Sequence, residues 1–506
     1  MTMNRKGVSL LILIILVRIV CAWNSEGFYQ FDEHFQIVEF IGKLQGVTPE
    51  QNLPWEYHQK IRPWFQPFMF FGISKLFMGF DPLISPHTQV FLFRLLSGFL
   101  GLGSSAFLIF AAVRTGQIKG ASDSSRIFWG LGLSTLLWFF PFFQVRPSAE
   151  SWASSWFWFG VATSFFATDD LSKAKKRGIY ALTGMFFGLA FISKYQAGLL
   201  ILGWGLVTIA PRVRVSVPQF FERLQWVLLS VVFVLMMIGV GAVFDQMGYG
   251  IWQNTAWNYF DTNLLRGVAF RFSAQPWWFY IKEALIWAPP LTTVIFLTSI
   301  LGGFGTKDLR ISVPILLYLA FHFWMSNKEL RFLFPVLPGV VLLMLNSEWT
   351  WRIFEGRKPL WRTLRTLLVV ENLILLAAVC GLPASSAMPT YRAIYAAATE
   401  RDTLFTLNDR PYGLLDLEVK FYQPSGLKVL QLNDWSEVER VAAPLKQFLV
   451  LSSGWEDLQG HVAFKRFQCS PVYQSHPEWL RSIQFGNWQA RSRIRKLFRC
   501  RQTGED

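Results

Sequence analysis

The stretch VFLFRLLSGFLGLGSSAFLIFAAV, residues 90–113, decides the fold because it is apolar throughout except for a few small polar residues and Arg94. A helix of about 20 mainly apolar residues is long enough to cross a hydrocarbon core of about 30 Å. A second stretch, WVLLSVVFVLMMIGVGAVF at 226–244, carries no charge and has a similar length. Both stretches predict transmembrane helices, and with them an all-α integral membrane protein.

The composition of the whole chain agrees with these two stretches. Of its 506 residues, 52% are hydrophobic and 16% are charged, whereas soluble domains have roughly 25% charged residues. The net charge is +15, but the lysines and arginines stand between apolar segments instead of on a soluble face with interleaved aromatics. The pattern therefore argues against nucleic-acid binding and favours loop charges that orient membrane helices.

Hydropathy along the chain predicts about 11 membrane spans. They lie near 7–23, 89–113, 127–143, 151–168, 178–193, 196–210, 225–244, 278–300, 311–325, 332–346 and 366–383. The first of them also resembles a signal peptide, with Arg5 and Lys6 ahead of an apolar core. We favour an uncleaved span, because many spans follow it and because Arg18 and Trp23 suit a membrane interface.

The distribution of basic residues predicts the orientation. With the N-terminus in the cytoplasm, every cytoplasmic loop is basic, as the positive-inside rule requires. These loops are 114–126, 169–177, 211–223, 302–310 and 347–365. The outer side then holds two long loops and three short links, at 24–87, 245–277, 144–150, 193–196 and 326–331. Residues 1–383 are predicted to form the membrane domain.

Residues 384–506 are far more polar and predict a small extramembrane α/β module on the outer side. The runs KVLQL (428–432) and QFLVLSS (447–453) are typical of strands, with helices between them. The four cysteines show no metal-ligand spacing, although Cys469 and Cys500 could pair. The basic tail RSRIRKLFRCRQ fits a solvated or headgroup-binding face.

The densest polar cluster is FYQFDEHFQIVEFIGKL, residues 28–44. Its apolar residues recur at three- and four-residue spacing, which predicts an amphipathic helix able to lie on the membrane surface. Asp32 and Glu33 stand at the start of this helix. Paired carboxylates there can accept a proton from a hydroxyl nucleophile, or they can cap the helix. The local pattern leaves both interpretations open and favours the cap.

Two further outer segments combine charge with aromatic rings. LPWEYHQKIRPWFQPF (53–68) contains Glu56, Tyr57 and Arg62, which can hold a sugar or a phosphate or anchor the chain at the interface. VRPSAE (145–150) places Arg146 and Glu150 one helical turn apart, and SKYQ (193–196) supplies Lys194. Arg146 and Lys194 are then basic residues at the mouth of a membrane cavity. Such residues can bind a lipid phosphate or form simple ion pairs.

The last two outer segments lie later in the chain. The loop that begins at 245 is rich in Asn, Gly and Trp, a composition that suits sugar binding and interfacial segments equally. The link SNKELRFLFP (326–335) places Lys328, Glu329 and Arg331 between two apolar spans. Three charges in that position cost several kcal/mol unless each has a partner or an anionic ligand. Phosphate binding and a structural salt-bridge cluster both fit.

Two motifs carry a family resemblance. YQFDEHFQ (29–36) resembles the HPDEHFQ-like motif that follows the first span of the dolichol-phosphate-mannose-dependent mannosyltransferases, glycosyltransferase family 22. NKELRF (327–332) resembles their luminal HKExRF motif. The likeness runs in order through roughly residues 7–350 and includes WEYHQKIRPW and VRPSAE. The chain departs from the motifs at Gln30 and Phe31, in place of His-Pro, and at Asn327, in place of His.

The resemblance implies a GT-C type multi-spanning helical bundle with an active site on the lumenal or periplasmic face. It implies an inverting transfer of mannose from a β-linked polyprenyl or dolichyl phosphate to a glycolipid or lipid-linked glycan. Asp32 is then the base, and Glu33 orients the acceptor or shares the role of base. The expected phosphate-binding residues are Lys328, Arg331, Glu329, Lys194 and Arg146. The expected sugar or acceptor residues are His34, Glu56, Tyr57, Arg62, Asp245, Tyr249, Asn263 and Trp277.

No metal or cofactor is expected, since two cations can neutralise the departing phosphate. The expected partners are the lipid-phosphate donor, the glycolipid acceptor and membrane lipids. The membrane is the bacterial inner membrane or the endoplasmic reticulum. Two alternatives stay open: a transporter or flippase of lipid-linked sugars, which would place polar groups near the bilayer midplane in both halves, and an inactive scaffold that has lost the motif histidines.

Overall fold

The structure is a computed structural model, and it describes residues 5–118, 122–210, 216–271, 274–287, 289–303, 309–399, 401–407, 409–455, 458, 467–483 and 485–502. Parts of the predicted cytoplasmic loops at 114–126, 211–223 and 302–310 lie outside these ranges. The described chain is mainly helical, as predicted. It divides into two compact units, one of residues 1–37, 55–82 and 90–383 and the other of residues 38–54, 83–89 and 384–506.

The first unit is built from helices. Along the chain up to residue 193, the helices are α1 (Arg5–Asn24), α2 (Phe31–Glu33), α3 (Glu39–Leu44), α4 (Trp55–His58), α5 (Phe65–Met78), α6 (Pro86–Arg114), α7 (Asp123–Leu136), α8 (Phe139–Val145), α9 (Ala149–Phe165) and α10 (Lys173–Ser193). Of these, α3 belongs to the second unit. The rest are α11 (Ala197–Ile209), α12 (Val217–Tyr249), α13 (Thr255–Phe260), α14 (Phe279–Trp287), α15 (Pro290–Gly303), α16 (Leu309–Trp324), α17 (Leu337–Leu345), α18 (Glu348–Glu355) and α19 (Pro359–Gly381).

The predicted count of about 11 spans is not confirmed. Four described helices are long and apolar enough to cross a membrane: α1, α6, α12 and α19. Two bent pairs raise the count to six if each pair is one span: α7 with α8, at 61°, and Leu330–Leu345 with α18, at 75°. The hydropathy windows ran across these bends, because average hydropathy does not record a change of backbone direction.

The core of the first unit positions the start of α9 and the end of α10. Trp158, near the middle of α9, is fully buried in a large cluster of apolar side chains. Its indole N–H donates to the carbonyl of Pro335 at 2.8 Å, so the 3₁₀ segment Leu330–Val336 packs against α9. This packing brings the start of α9, the residue after α10 and the 326–331 link to one place.

Two further sequence expectations are wrong. Arg18 is buried within α1, where its guanidinium donates to Gln144 at 2.6 Å and to the carbonyl of Thr135 at 3.2 Å. It therefore does not mark a membrane interface. The predicted surface helix at 31–44 is broken by a π-helical segment, His34–Val38, and buries polar as well as apolar residues, including Glu39.

The second unit contains a five-stranded sheet in the order β4-β1-β5-β7-β6. Its strands are β1 (Thr403–Leu407), β4 (Lys428–Leu432), β5 (Gln447–Ser453), β6 (Phe467–Gln474) and β7 (Arg495–Gln502), beside a two-stranded pair, β2 (Gly413–Leu414) and β3 (Leu417–Glu418). Strands β4, β1 and β5 are parallel, and β7 runs antiparallel to both of its neighbours. The predicted strands KVLQL and QFLVLSS are β4 and β5.

Besides α3, this unit contains α20 (Met388–Ala397), α21 (Trp435–Ala442) and α22 (Trp488–Arg491). Trp435 and Val438 of α21 pack with Phe405 and Phe448 on one face of the sheet. Strands β4 and β5 both pair in parallel with β1, and α21 supplies the crossover that joins parallel strands of one sheet. The predicted α/β module is therefore present, and it also takes in residues 38–54 of the first outer loop.

The sheet contains both C-terminal cysteines and the basic tail. Cys469 and Cys500 face each other in β6 and β7 and form a disulfide. The tail forms β7, in which Arg495 is buried and donates two hydrogen bonds to Asp409, at 2.7 and 2.8 Å. A wholly solvated tail is therefore wrong, because only part of the strand faces water.

Candidate active site

Asp32 and Glu33 lie in α2, directly before the π-helical segment. Gln30, the residue before α2, makes no capping hydrogen bond through its side chain. Glu33 accepts from the backbone N–H of Tyr29 at 3.2 Å, so the capping interpretation holds in part for Glu33. The Asp32 carboxylate makes a different contact, because it accepts from Arg331 at 2.5 Å.

Arg331 is the centre of a network of charged side chains. Besides Asp32, its guanidinium contacts Glu329 at 2.7 Å and Glu150 at 3.6 Å. Only 5% of the Arg331 side chain is exposed, whereas 28% of Asp32 is exposed. Three carboxylates thus surround one buried guanidinium. In the ion pair between Arg331 and Asp32, Asp32 is the partner that solvent reaches.

Two other cations complete the network. Lys194 donates to Glu150 at 2.7 Å. Arg62 lies 3.8 Å from Asp32 and 3.4 Å from Glu56, and the Glu56 carboxylate also accepts from the side-chain amide of Gln36, at 3.1 Å. We call these residues the charged cluster: Asp32, Glu56, Arg62, Glu150, Lys194, Glu329 and Arg331.

Burial and neighbouring charge set the protonation of the cluster. Burial alone would raise the pKa of Asp32, but Arg331 and Arg62 outweigh it and hold the pKa well below its usual value. Burial lowers the pKa of Lys194, against the attraction of Glu150. Burial also raises the pKa of Glu56, which Arg62 opposes. Asp32 is therefore ionised at neutral pH and able to receive a proton.

A small cavity opens beside the cluster. Its charged lining residues are Arg62 and Lys194, and no carboxylate lines it among the described residues. Its polar lining includes Gln36, Gln66 and Tyr259. Four carboxylates outnumber three cations in the cluster as a whole, so the cavity is the part of the site where an anion meets only positive charge.

Two polar atoms at the cavity have no hydrogen-bond partner within the described parts of the chain. They are Oε1 of Gln66 and Nε of Arg62, both buried. Buried polar groups in proteins nearly always find a partner. One acceptor and one donor are thus available to a polar ligand in the cavity.

The end of α12 positions Arg62 from behind. The Tyr249 hydroxyl donates to the carbonyl of Arg62 at 2.9 Å, and Asp245 accepts from the backbone N–H of Trp64 at 2.8 Å. The ring of Tyr57 lies 5.3 Å from that of Tyr249. These three predicted sugar-binding residues therefore contact protein backbone and rings around Arg62, which points to a positioning role.

Arg146 is committed to protein contacts. It is fully buried and donates to the hydroxyl of Ser25 at 2.8 Å, to the carbonyl of Ser25 and to the carbonyl of Gly27 at 3.1 Å. It also lies 3.8 Å from Glu33. Burial raises the pKa of Glu33 to about 7, although Arg146 opposes the shift. In this structure Arg146 therefore contacts Glu33 and the 25–27 backbone, and its phosphate-binding role stays a prediction.

The remaining predicted residues lie apart from these contacts. The buried ring of His34 packs between Phe28 and Phe35, at 5.3 and 5.2 Å. The Lys328 ammonium donates to the carbonyl of Met325. Asn263 donates to the carbonyl of Tyr259 at 3.0 Å, and the side chain of Trp277 is exposed.

The sequence analysis did not single out Gln36, Gln66 and Tyr259. Gln36 stands four residues after Asp32, and this spacing was the available signal. Gln66 and Tyr259 lie in segments whose aromatic composition suggested interfacial anchoring, which hid their polar atoms. Glu150 was paired with Arg146 by spacing, but its partners are Lys194 and Arg331. Across the described ranges, no group of three or more His, Cys, Asp or Glu has metal-binding geometry.

The fold resembles that of a solved membrane glycosyltransferase. ArnT from Cupriavidus metallidurans, solved with undecaprenyl phosphate bound, aligns with a TM-score of 0.58 over 98% of both chains at 13% identity. At this identity the likeness shows the fold alone. It is the GT-C fold that the sequence analysis predicted.

Several proteins of similar sequence are named as mannosyltransferases. GPI mannosyltransferase 3 from Drosophila melanogaster is 23% identical over 72% of this chain and 60% of its own length. GPI alpha-1,2-mannosyltransferase 3 from Bos taurus is 22% identical over 69% of this chain and 60% of its own length. The match therefore spans less than two thirds of these relatives. Residues 9–418 match the family described as the Alg9-like mannosyltransferase family, and the chain belongs to that family.

Proposed function

We propose that this protein is an inverting mannosyltransferase that uses a polyprenyl- or dolichyl-phosphate mannose donor. The observation that carries the proposal is the ionised, solvent-accessible Asp32 beside a cavity whose charged lining consists of Arg62 and Lys194. Glycosyl transfer from a lipid phosphate needs a base close to a phosphate site. Here Arg62, which lines the cavity, lies 3.8 Å from Asp32.

In the proposed reaction, an acceptor hydroxyl oxygen attacks the anomeric carbon of the donor sugar. The bond between that carbon and the phosphate oxygen breaks, and the electron pair leaves with the lipid phosphate. Asp32 receives the hydroxyl proton. Attack from the side opposite the phosphate turns a β-linked donor into an α-linked product, which agrees with the names of the relatives.

We assign the phosphate to Arg62 and Lys194 in preference to Lys328 and Arg331. Lys328 is bonded to a backbone carbonyl, and Arg331 is already surrounded by three carboxylates. The free Oε1 of Gln66 would accept from a sugar hydroxyl, and Gln36 would border the same space. Arg331 then holds Asp32 in position.

The same contacts link donor binding to the strength of the base. A general base works best when its pKa lies near the working pH. The pKa of Asp32 lies well below that pH. Arg62 is shared between Asp32 and the cavity. A phosphate beside Arg62 would offset its charge and raise the pKa of Asp32, so that the base strengthens when the donor is bound.

For the location, we propose the endoplasmic reticulum membrane with the site on the lumenal side. The relatives are eukaryotic enzymes named for glycosylphosphatidylinositol mannosylation. The Cys469–Cys500 disulfide in the second unit fits an oxidising compartment. A glycolipid of the glycosylphosphatidylinositol type is the acceptor that these names suggest.

The test is transfer of labelled mannose from a polyprenyl-phosphate donor in membranes that contain the protein. We expect a labelled glycolipid with wild type and a loss of roughly 10²–10⁴-fold with Asp32→Asn. Glu348→Gln, at an exposed pair with Arg352, is the control and should transfer normally. Near-normal transfer by Asp32→Asn would overturn the assignment of the base.

The transporter alternative predicts a different product. A transporter would leave the label on the polyprenyl phosphate and change only the leaflet in which it is found. Membership of a mannosyltransferase family favours the transferase, and the product analysis in the same assay separates the two.

A further inference from the structure

The loop between β6 and β7 presents large apolar side chains to the surroundings. In the described part of residues 475–494, the exposed fractions are 65% for Trp479, 40% for Ile483 and 89% for Phe485. Exposure of a large apolar side chain to water is unfavourable, because its burial would stabilise the protein. Three such residues exposed on one loop indicate a surface that another apolar phase covers.

The loop is held in shape by its own hydrogen bonds. The side-chain amide of Gln489 donates to the carbonyls of Arg481 and Ile483, both at 2.9 Å. The Trp488 indole donates to the carbonyl of Ile483 at 2.6 Å. The Cys469–Cys500 disulfide ties together the two strands that carry the loop. The apolar tips are therefore presented by a braced structure.

Basic residues flank the apolar tips. Arg481 and Arg493 are exposed, and Arg481 lies 3.6 Å from Glu478. Tryptophan and phenylalanine next to arginine suit the boundary between lipid headgroups and acyl chains, where rings enter the apolar layer and guanidinium groups meet phosphates.

We propose that the 475–494 loop docks on the surface of a lipid bilayer, with Trp479, Ile483 and Phe485 inserted at the headgroup level. The occupant follows from the chain itself, because the first unit contains membrane-spanning helices. Tethering to those helices keeps a bilayer at high effective concentration around the second unit. The proposal is independent of the reaction at Asp32.

The test uses an environment-sensitive fluorophore on Phe485→Cys in the full-length protein, reconstituted in nanodiscs of phosphatidylcholine with phosphatidylglycerol. Ser436→Cys, at an exposed position of α21, is the matched control. Trp479→Cys is a second reporter, in case the first variant fails to fold. The native free cysteines, Cys21 and Cys380, are buried.

At position 485 we expect quenching by spin-labelled lipid and loss of quenching by aqueous iodide, whereas position 436 should show the reverse. Equal iodide quenching at both positions would overturn the proposal. Protection from iodide at 485 without quenching by the spin-labelled lipid would also overturn it, because it would show a protein contact in place of a lipid one.

Discussion

Arg331 donates a hydrogen bond of 2.5 Å to Asp32, which lies 299 residues earlier in the chain. This contact joins the two motifs on which the family resemblance was built. It also makes Arg331 a positioning residue for Asp32, because the guanidinium is surrounded by carboxylates and does not line the cavity.

Two substitutions of Arg331 should distinguish the effect of its charge from the effect of its hydrogen-bond geometry. Arg331→Ala leaves three carboxylates without their common cation, and removal of one partner of a buried ion pair costs about 3–5 kcal/mol. Arg331→Lys keeps the charge but cannot bond Asp32 and Glu329 together, so activity should fall more than stability. Thermal unfolding in detergent, together with the transfer assay, measures both effects.

The control for this pair is Arg352→Ala. Arg352 and Glu348 form an exposed ion pair, and such pairs are worth about 0–1 kcal/mol. An Arg331→Ala protein that unfolded at the wild-type temperature would show that the network does not support the fold.

Gln66→Met should reduce donor binding without destabilising the protein. The Oε1 atom of Gln66 has no partner within the described residues, and its Nε2 atom donates a long hydrogen bond of 3.5 Å to the carbonyl of Ser148. Loss of the unpartnered acceptor should offset loss of this weak bond, so the unfolding temperature should change little. Loss of a hydrogen bond to the sugar should raise KM for the donor by roughly 5–10-fold, which corresponds to about 1–1.5 kcal/mol. Transfer rates measured over a range of donor concentrations give KM, and an unchanged KM would remove Gln66 from the sugar site.

Glu33 should make stability depend on pH near neutrality. Burial raises its pKa from 4.5 to about 7, so between these values the folded protein holds a proton that the unfolded chain has lost. The unfolding free energy therefore falls as pH rises from about 4.5 to about 7. Glu33→Gln, which stays neutral at every pH, should flatten this slope.

The measurement is thermal unfolding at several pH values for wild type, Glu33→Gln and Glu348→Gln. The slope should not vanish in Glu33→Gln, since burial also raises the pKa of Glu56 in the same direction. Equal slopes in all three proteins would contradict a neutral Glu33.

Gly248 in α12 should not tolerate a side chain. A Cβ atom at this position would lie 2.0 Å from the Trp64 ring, and the rigid ring would have to move together with the backbone beside Arg62. Gly248→Ala should therefore cost about 1–3 kcal/mol and lower transfer.

Gly239→Ala, in the same helix, is the matched control. Among the described residues, no atom outside the adjacent turns of α12 would lie within 4 Å of a Cβ at position 239. Gly239→Ala should therefore be neutral or slightly stabilising, as alanine favours helices. Similar effects of the two substitutions on the unfolding temperature and on transfer would show that close packing on Trp64 is unimportant.

The sequence by itself determined the class of protein and the local elements. Apolar stretches such as 226–244 identify membrane helices because transfer of a charge into lipid is so costly, and strands β4 and β5 were visible as short β-branched and leucine-rich runs. The two motifs identified the family. Hydropathy could not fix the number of spans, because α7 and α8 are as apolar as a straight helix but are bent by 61°.

Only the tertiary structure decided which charged side chains form ion pairs with each other. Local spacing paired Glu150 with Arg146, whereas packing of the 330–336 segment on α9 gives Glu150 to Arg331 and Lys194. Partners far apart in the chain depend on how helices pack, and the cost of burying an unpaired charge then selects among the partners within reach. That selection turned Arg146 inward and left Arg62 and Lys194 facing the cavity.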